Sequence, residues 1–442
     1  MNFKIGIFTL IAFVVSLTTN AQEEKQVLQK DQAVTIAMEN NFDIRMSKMD
    51  VEVAENNASI QNSGYLPSIT GTAGANYSNS SGQLVERSGA TRDIENNETT
   101  GLNASVGLTY MVFDGFGRSN TYKQLQENYN ISELQARQMV ESTILSIFNS
   151  YYEVARLTQD VDNQKETLII SRVRLQRAQY GSEYGQGSQL DILNAEVDYN
   201  NDSITYLTNT QFLANEKRNL NLLLGRDVNI DFQVDTALTY ANNLLLEAML
   251  VNAKDNNVTL LQQEAALRNS ELNIRATTSN AVPKLSVNGN YGYNQNQFGA
   301  AGFIDKSTGT GPSLGATLSW NIYDGGATRT RRQNSEIAFE TQSINLEKQQ
   351  LNIERNLSNA WTAYQTALFV KEAQSKNLQT AQTNFDRSVD QYKLGQITNI
   401  VFRQAQLNLL QAQLALNQAK YSAKTAELFL LQISGDLRQA QF

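Results

Sequence analysis

The sequence predicts a mixed fold, all-α apart from a membrane β portion: a long antiparallel α-helical coiled-coil barrel continuous with a β-barrel shared between subunits, four strands per chain. Three observations predict it. One unit occurs twice along the chain, each unit carries a pair of amphipathic strands, and each carries a proline-free helix far longer than a globular domain needs.

The repeat fixes the frame for every element. Ala37, Asn40, Asn41 and Pro67 recur 216 positions later as Ala253, Asn256, Asn257 and Pro283. Asp114, Gly115, Asn149, Gly185, Ala195 and Gly225 recur 210 positions later as Asp324, Gly325, Asn359, Gly395, Ala405 and Gly435. The offset falls by six between Pro67 and Asp114, so length varies in a loop while the frame around it holds. Residues 22–225 form the first repeat and 226–442 the second, each running helix, strand, polar loop, strand, very long helix, glycine break and returning helix.

Residues 1–21 read as a secretory signal peptide: Lys4, an apolar run from Ile5 to Val15, then a polar stretch ending in Ala21. No later stretch approaches the roughly 18 consecutive apolar residues of a spanning helix, so membrane insertion must use strands.

Those strands follow the two helix-breaking prolines, Pro67 and Pro283. Four stretches alternate with period two, at 67–78, 102–113, 284–294 and 313–323. Ile69, Ala73, Ala75 and Tyr77 alternate with Ser68, Thr70 and Thr72; Leu314, Ala316, Leu318 and Trp320 do the same in the second unit. One apolar and one small polar face over about ten residues is the transmembrane β pattern. A soluble hairpin with one face on a core would share it. The signal peptide, the aromatics near the strand ends (Tyr110, Phe113, Trp320, Tyr323) and helices too polar to bury a sheet favour the membrane. Four strands cannot close a barrel, because edge amides facing lipid would stay unsatisfied, so more than one chain is required.

Asp114-Gly115 and Asp324-Gly325 end a strand and precede a helix: aspartate can cap the first free amides, and glycine permits the change of direction. From 118 to 184 there is no proline and one glycine, and from 328 to 394 neither, giving helices on the order of 90–100 Å. Their apolar positions form narrow seams, as at Ile144, Ile147, Phe148, Tyr151 and Ala155, or at Leu407, Leu410, Leu414, Tyr421, Leu428 and Leu431. Each strand pair crosses and returns, so all helices lie on the side the chain came from, the periplasm; 79–100 and 294–311 face the exterior.

Composition excludes much else. With no histidine and no cysteine, disulfides, the usual general base and most transition-metal ligand sets are gone, and no cofactor or metal is expected. Glu153 and Glu354 stand singly on long helices with no convergent polar set, so an enzyme is not expected. A net charge of −8 without basic clusters argues against nucleic acid as a partner.

The frame resembles the TolC family of outer-membrane efflux proteins over essentially the whole mature chain. The resemblance lies in the order and duplication of "GYLPSI" and "AVPKLSV", of "VFDGFGR" and "IYDGGATR", and of "EYGQGSQLDILNAE" and "YKLGQITNIVFRQAQ". It implies a homotrimer with a twelve-stranded barrel in outer-membrane lipid above a periplasmic tunnel. The duct would pass substrates driven by an inner-membrane transporter, whether a resistance-nodulation-division pump, an ABC transporter or another class. A periplasmic adaptor would dock at the tips, at Glu183, Tyr184, Gly185, Lys393, Leu394 and Gly395. The family closes its tunnel with acidic residues just past the second break. Here only Asp191 of unit one is acidic, while unit two has Val401 and Gln404, which puts an anionic ring at the constriction in doubt. Asp386 and Asp390 could substitute, or could with Arg387 form an ordinary solvated set. The rival from another class is an envelope coiled-coil protein, structural or adhesive, without channel activity.

Overall fold

The computed structural model describes residues 27–241, 244–299 and 304–437; the expected signal peptide lies outside them. A two-residue strand β1 (Val27–Leu28) leads into α1 (Lys30–Asn40) and α2 (Phe42–Asn57). Then come β2 (Ser68–Val85), β3 (Thr91–Phe113), α3 (Gly117–Glu183) and α4 (Gln189–Leu223). Beyond a short β4 (Gln233–Val234), the order recurs as α5 (Leu246–Asn256), α6 (Val258–Thr278), β5 (Lys284–Gln297), β6 (Lys306–Ser319), α7 (Ala327–Lys393) and α8 (Asn399–Ser434). Helices α3 and α7 each have 67 residues, about 100 Å of helix. No helix among the described residues is long and apolar enough to cross a membrane.

The four long strands form one antiparallel sheet in the order β2-β3-β5-β6, and β1 pairs in parallel with β4. Both hairpins run further from the helices than the sequence expectation, and the fourth strand ends early. The second hairpin pairs on to Gln297↔Lys306, through most of the stretch read as the loop 294–311. The first hairpin does not stop at residue 78: pairing runs on through Val85↔Thr91, so most of the stretch read as the loop 79–100 is ladder. Its paired residues are mostly polar or charged, with only Leu84, Val85 and Ile94 apolar, so no side-chain alternation marks it, and main-chain hydrogen bonds carry it instead. The fourth strand ends at Ser319, short of the expected 323, so Trp320 and Tyr323 lie past it. Its last pair is Lys284↔Ser319; the next residue on β5 would be Pro283, which has no N–H to give.

Below the sheet, α3 packs against α4, α2, α6 and α8, and α7 packs against α8 and α6. The main core sits at mid-length, where Ile147, Phe148, Tyr151 and Val154 of α3 meet Leu220, Leu357, Leu428 and Leu431, all buried. Of the seam expected on α8, Tyr421, Leu428 and Leu431 are buried in this core, and Leu410 is buried outside it. The segment after α4 lies on this core: the Tyr151 hydroxyl donates to the Leu28 carbonyl (2.8 Å) and accepts from Asp235 N (2.9 Å).

The repeated asparagines form a joint between helices. Asn41 Oδ1 accepts from Ile44 N (3.0 Å), capping α2, while its Nδ2 donates to the Leu223 carbonyl (2.7 Å) at the end of α4. Asn257 repeats both bonds, from Leu260 N (3.1 Å) and to Ile433 O (2.9 Å) at the end of α8. One amide thus closes the start of one helix and the end of another.

Candidate functional site

The sheet is built so that all four strands put their apolar residues on the same side. The register pairs Ile69 with Leu108, Val106 with Tyr291, Tyr110 with Val287, and Leu285 with Leu318. The other side pairs Thr72 with Ser105, Asn103 with Asn294, and Ser286 with Thr317. A one-residue slip anywhere would mix the faces, so the alternation and the ladder specify each other. No described residue of the chain covers the apolar side: Leu314 is 87% exposed and Ile69 70%. The outer strands β2 and β6 each leave one row of main-chain groups unpaired by any described residue of the chain. Tyr110 lies on this apolar side, Phe113 at the end of β3, and Trp320 just past β6, where its Nε1 donates to the Ala281 carbonyl (3.2 Å). Tyr323 is exposed beside the corner of Asp324.

At the two corners the geometry repeats. Asp114 Oδ2 accepts from Arg118 N (2.7 Å) and Asp324 Oδ2 from Thr328 N (2.9 Å), so each carboxylate satisfies an orphan amide of the long helix from four residues upstream. The Thr328 hydroxyl, which also donates to Asp324, holds that carboxyl below its usual range. Gly115 and Gly325 both take a positive φ, 69° and 68°. They differ in surroundings: a Cβ on Gly115 would collide with Val282, whereas one on Gly325 would meet nothing within 4 Å.

At the far end the two helix breaks are also copies. Gly185 (φ 71°) and Gly395 (φ 73°) end α3 and α7 in the left-handed conformation. Gln186 N donates to Gly181 O (2.7 Å) and Gln396 N to Gln391 O (2.9 Å), the Schellman closure that positive φ allows. Glu183, Tyr184, Lys393 and Leu394 are exposed around them, and a Cβ on either glycine would find open space. Asp191 is turned back onto its own helix. Its Oδ2 accepts from Ser188 Oγ (2.6 Å) and Ser188 N (3.1 Å), forming a capping box, and these bonds hold the carboxyl below its usual range. A depressed folded pKa means the carboxylate's contribution is present above the ordinary carboxylate range and is lost as pH falls through it. Thr398 caps α8 at the matching place, leaving Val401 and Gln404 exposed.

Sequence reasoning missed the polar cluster between the breaks and the core. Arg403 of α8 grips Asp202 of α4 with both nitrogens (2.7 and 2.8 Å), and its Nη1 also donates to Ser171 of α3 (3.2 Å). Arg174 of α3 reaches Asp198 (2.8 Å) and Asn399 (2.9 Å). Nearer the tip, the Arg177 guanidinium lies 4.5 Å from the Tyr392 ring centre, and Tyr392 stacks on Phe402 at 4.6 Å. These contacts tie α3 and α4 of the first repeat to α7 and α8 of the second. A signal existed: 210 positions on, Asp198 and Asp202 meet Asn408 and Ala412, and Arg403 answers Leu193, so the cluster sits where the two copies differ in charge.

A sequence model of the family described as outer membrane efflux protein matches residues 33–226 and 249–436, one stretch within each repeat. The chain is 22% identical to outer membrane efflux protein BepC of Brucella suis, over 92% of this chain and 86% of that one. It is 22% identical to the outer membrane protein TolC of Vibrio cholerae over 47% of this chain and 48% of that one. Among solved structures, the CmeC outer membrane channel of Campylobacter jejuni superposes with a TM-score of 0.77, at 14% identity, over 99% of this chain and 94% of that one. The open-state MtrE outer membrane channel of Neisseria gonorrhoeae gives 0.70, at 16% identity, over 92% and 89%. With the duplicated frame, the one-sided sheet and the family match in both repeats, this chain belongs to the outer membrane efflux protein family.

Proposed function

We propose that this outer-membrane efflux channel works as a ring of three copies, a passive duct whose barrel lies in outer-membrane lipid and whose helical tunnel reaches into the periplasm. An inner-membrane pump would drive substrates into it through an adaptor. The observation that carries the trimer is that the main contacts joining repeat one to repeat two inside the chain, in the sheet and between α3 and α6 or α8, have counterparts left open at the chain's other edge among the described residues.

Inside the chain α3 packs against α6 and α8, whereas α7, its copy, has no comparable packing against α2 or α4 among the described residues. The faces left open there are apolar: Ile337, Ile344 and Leu351 at seven-residue spacing on α7, and Val197, Ile204 and Leu207 on α4. Gly115 receives Val282 from the second repeat; the equivalent of Val282 is Leu66, 53% exposed, and the equivalent of Gly115 is the open Gly325. In the sheet, β3 pairs with β5, while β6 and β2 are its two edges. Each edge fits the opposite edge of another copy, which makes a head-to-tail contact that closes into a ring. Three copies give twelve strands, wide enough for an open bore.

The repeat offsets also set the register of that contact. Leu108 pairs with Gly289 and Val106 with Tyr291, so adding 210 on one side and subtracting 216 on the other pairs Leu318 with Ala73, and Ala316 with Ala75, of the next chain. All four stand on the apolar face. Since the protein has no cysteine, Leu318→Cys with Ala73→Cys should form covalent trimers on oxidation, and Leu318→Cys with Ala75→Cys should not. The wild-type protein, extracted in detergent and placed in a planar bilayer, should be trimeric and conduct in discrete steps. A soluble species without conductance would instead make the chain an envelope coiled-coil protein without channel activity.

Orientation follows from charge. Every charged residue of the first hairpin beyond the sheet's shared part, from Glu86 to Glu98, lies on the projecting end, where β3 pairs with β2 alone. That end would stand in water outside the cell, and the breaks at Gly185 and Gly395 would face the adaptor. Gly395→Trp fills the open space at one break; it should abolish export and adaptor cross-linking while leaving the trimer's conductance intact. Unchanged export would remove this glycine from the docking surface.

A further inference from the structure

We propose that the barrel section is a charge-blind sleeve, walled by asparagine amides laid flat over glycines of the neighbouring strands, and that this seating holds the bore open. The proposal rests on the duct reading, in which the polar face of the sheet lines the lumen.

Between Lys284 at the start of β5 and the charged hairpin ends at Glu98 and Lys306, charge is missing on both faces. Residues 68–85, 99–113, 285–298 and 307–323 contain no Asp, Glu, Lys or Arg. The polar face is built instead from hydroxyls, amides and bare backbone, and the amides and glycines are matched across strands. One row runs Gly74, Asn103, Asn294, Gly309, and the next runs Asn76, Gly101, Asn296.

In each case the amide occupies the room that a methyl on the facing glycine would need. A Cβ on Gly74 would lie 2.8 Å from Asn103 Oδ1, and one on Gly309 2.6 Å from Asn294 Oδ1. Gly101 takes two: 2.9 Å from Asn296 Oδ1, and closer still to Asn76 Oδ1. Gly101 is buried although its strand face is otherwise open, so the two amides roof it. The match is selective. Gly315 and Gly311 on the same face, and Gly71 on the apolar one, would meet nothing within 4 Å.

Two consequences follow. Neutral amides offer donors and acceptors to a passing solute without concentrating either sign of ion, so sorting by charge is left to other parts of the duct. An amide lying on the sheet does not stand in the bore. A side chain on Gly101 would lift Asn76 and Asn296 together, which puts six amides into the lumen of a trimer.

Because the chain has no cysteine, a single introduced thiol reports its own surroundings. Ser105→Cys lies on the polar face and Val106→Cys on the apolar one. With protein reconstituted in vesicles, cationic and anionic methanethiosulfonates of equal size should modify Ser105→Cys at rates whose ratio stays within about threefold of that for a small thiol in solution. A bias of about tenfold or more for either sign overturns charge blindness and leaves the duct standing. No reaction with either reagent, on protein that conducts, means that the polar face is not the lumen and overturns both.

For the seating, Thr109→Cys lies deeper than Gly101 from the hairpin end. Adding Gly101→Val should slow a bulky reagent at Thr109→Cys by about tenfold and a small one by less than about twofold, whereas Gly315→Val should change neither. If Gly101→Val does not assemble, Gly74→Ala, which displaces Asn103 alone, carries the same test with a smaller slowing. Equal rates in the Gly101 or Gly74 variant and in the parent would show that the amides are not held by these glycines.

Discussion

Gly225→Ala should destabilise the folded protein several times more than Gly185→Ala, although both glycines end a helix with nearly the same φ, 68° and 71°. Forcing an alanine into the left-handed region costs about 1–2 kcal/mol at each of the four break and joint glycines. Only the joint glycines have a second cost. A Cβ on Gly225 would run into the Asn40 carbonyl oxygen and lie 2.5 Å from its carbon, and one on Gly435 would lie 2.8 Å from Asn256 Cβ and 2.9 Å from its carbonyl carbon. Those are atoms next to the Asn41 and Asn257 caps, which cannot move aside without giving up the bonds that join α4 to α2 and α8 to α6. The expected order of loss is therefore Gly225, then Gly435, then Gly185 and Gly395 together, with about 4 kcal/mol or more at Gly225. Heat resistance of the detergent-solubilised protein reads this order directly. Equal losses at all four positions would mean that backbone conformation alone decides, and that the joints tolerate a shift.

The same contrast shows what was legible in the sequence. Repeated glycines and asparagines mark positions where the backbone or a cap dictates the residue, and these recur at fixed offsets because the geometry recurs. Pro67, Asp114, Gly185 and Gly225 were found in this way, as were the strands, whose alternation is imposed by a sheet with one lipid-like and one wet face. The first hairpin beyond residue 79 was not found. It leaves the membrane-like environment, so its residues need no alternation, and a ladder held by main-chain bonds writes nothing into side-chain periodicity. The end of β6 was misplaced for a related reason: Trp320 and Ile322 continue the alternation, but the partner strand has reached a proline. Nor could the pairing of Asn103 with Gly74 be read without the register, since the two lie 29 positions apart with nothing local to connect them.

The Arg403 cluster was hidden because a repeat search looks for sameness, and this cluster is where the copies had to diverge. Contacts between α3 and α8 lie within one chain, while their counterparts between α7 and α4 would lie between chains, so the two interfaces can carry different polar chemistry. Arg403 and Asp202 are nearly buried, with side-chain exposures of 12% and 7%. Truncating one partner strands the other's charge. Arg403→Met should therefore raise the population of locally opened states by an amount equivalent to about 3–5 kcal/mol, against about 1 kcal/mol or less for an exposed bridge such as that of Lys376 with Glu372. The loss should be local, read as faster amide exchange over residues 195–206 and 399–410 with the mid-length core around Phe148 unchanged. Adding Asp202→Asn removes the stranded charge and should recover much of the protection, a coupling that a purely steric role for Arg403 would not produce. Exchange that rises equally in both regions would mean that this end of the tube opens only when the whole chain does. The cluster would then be part of one cooperative unit and not a separate clasp between the two repeats.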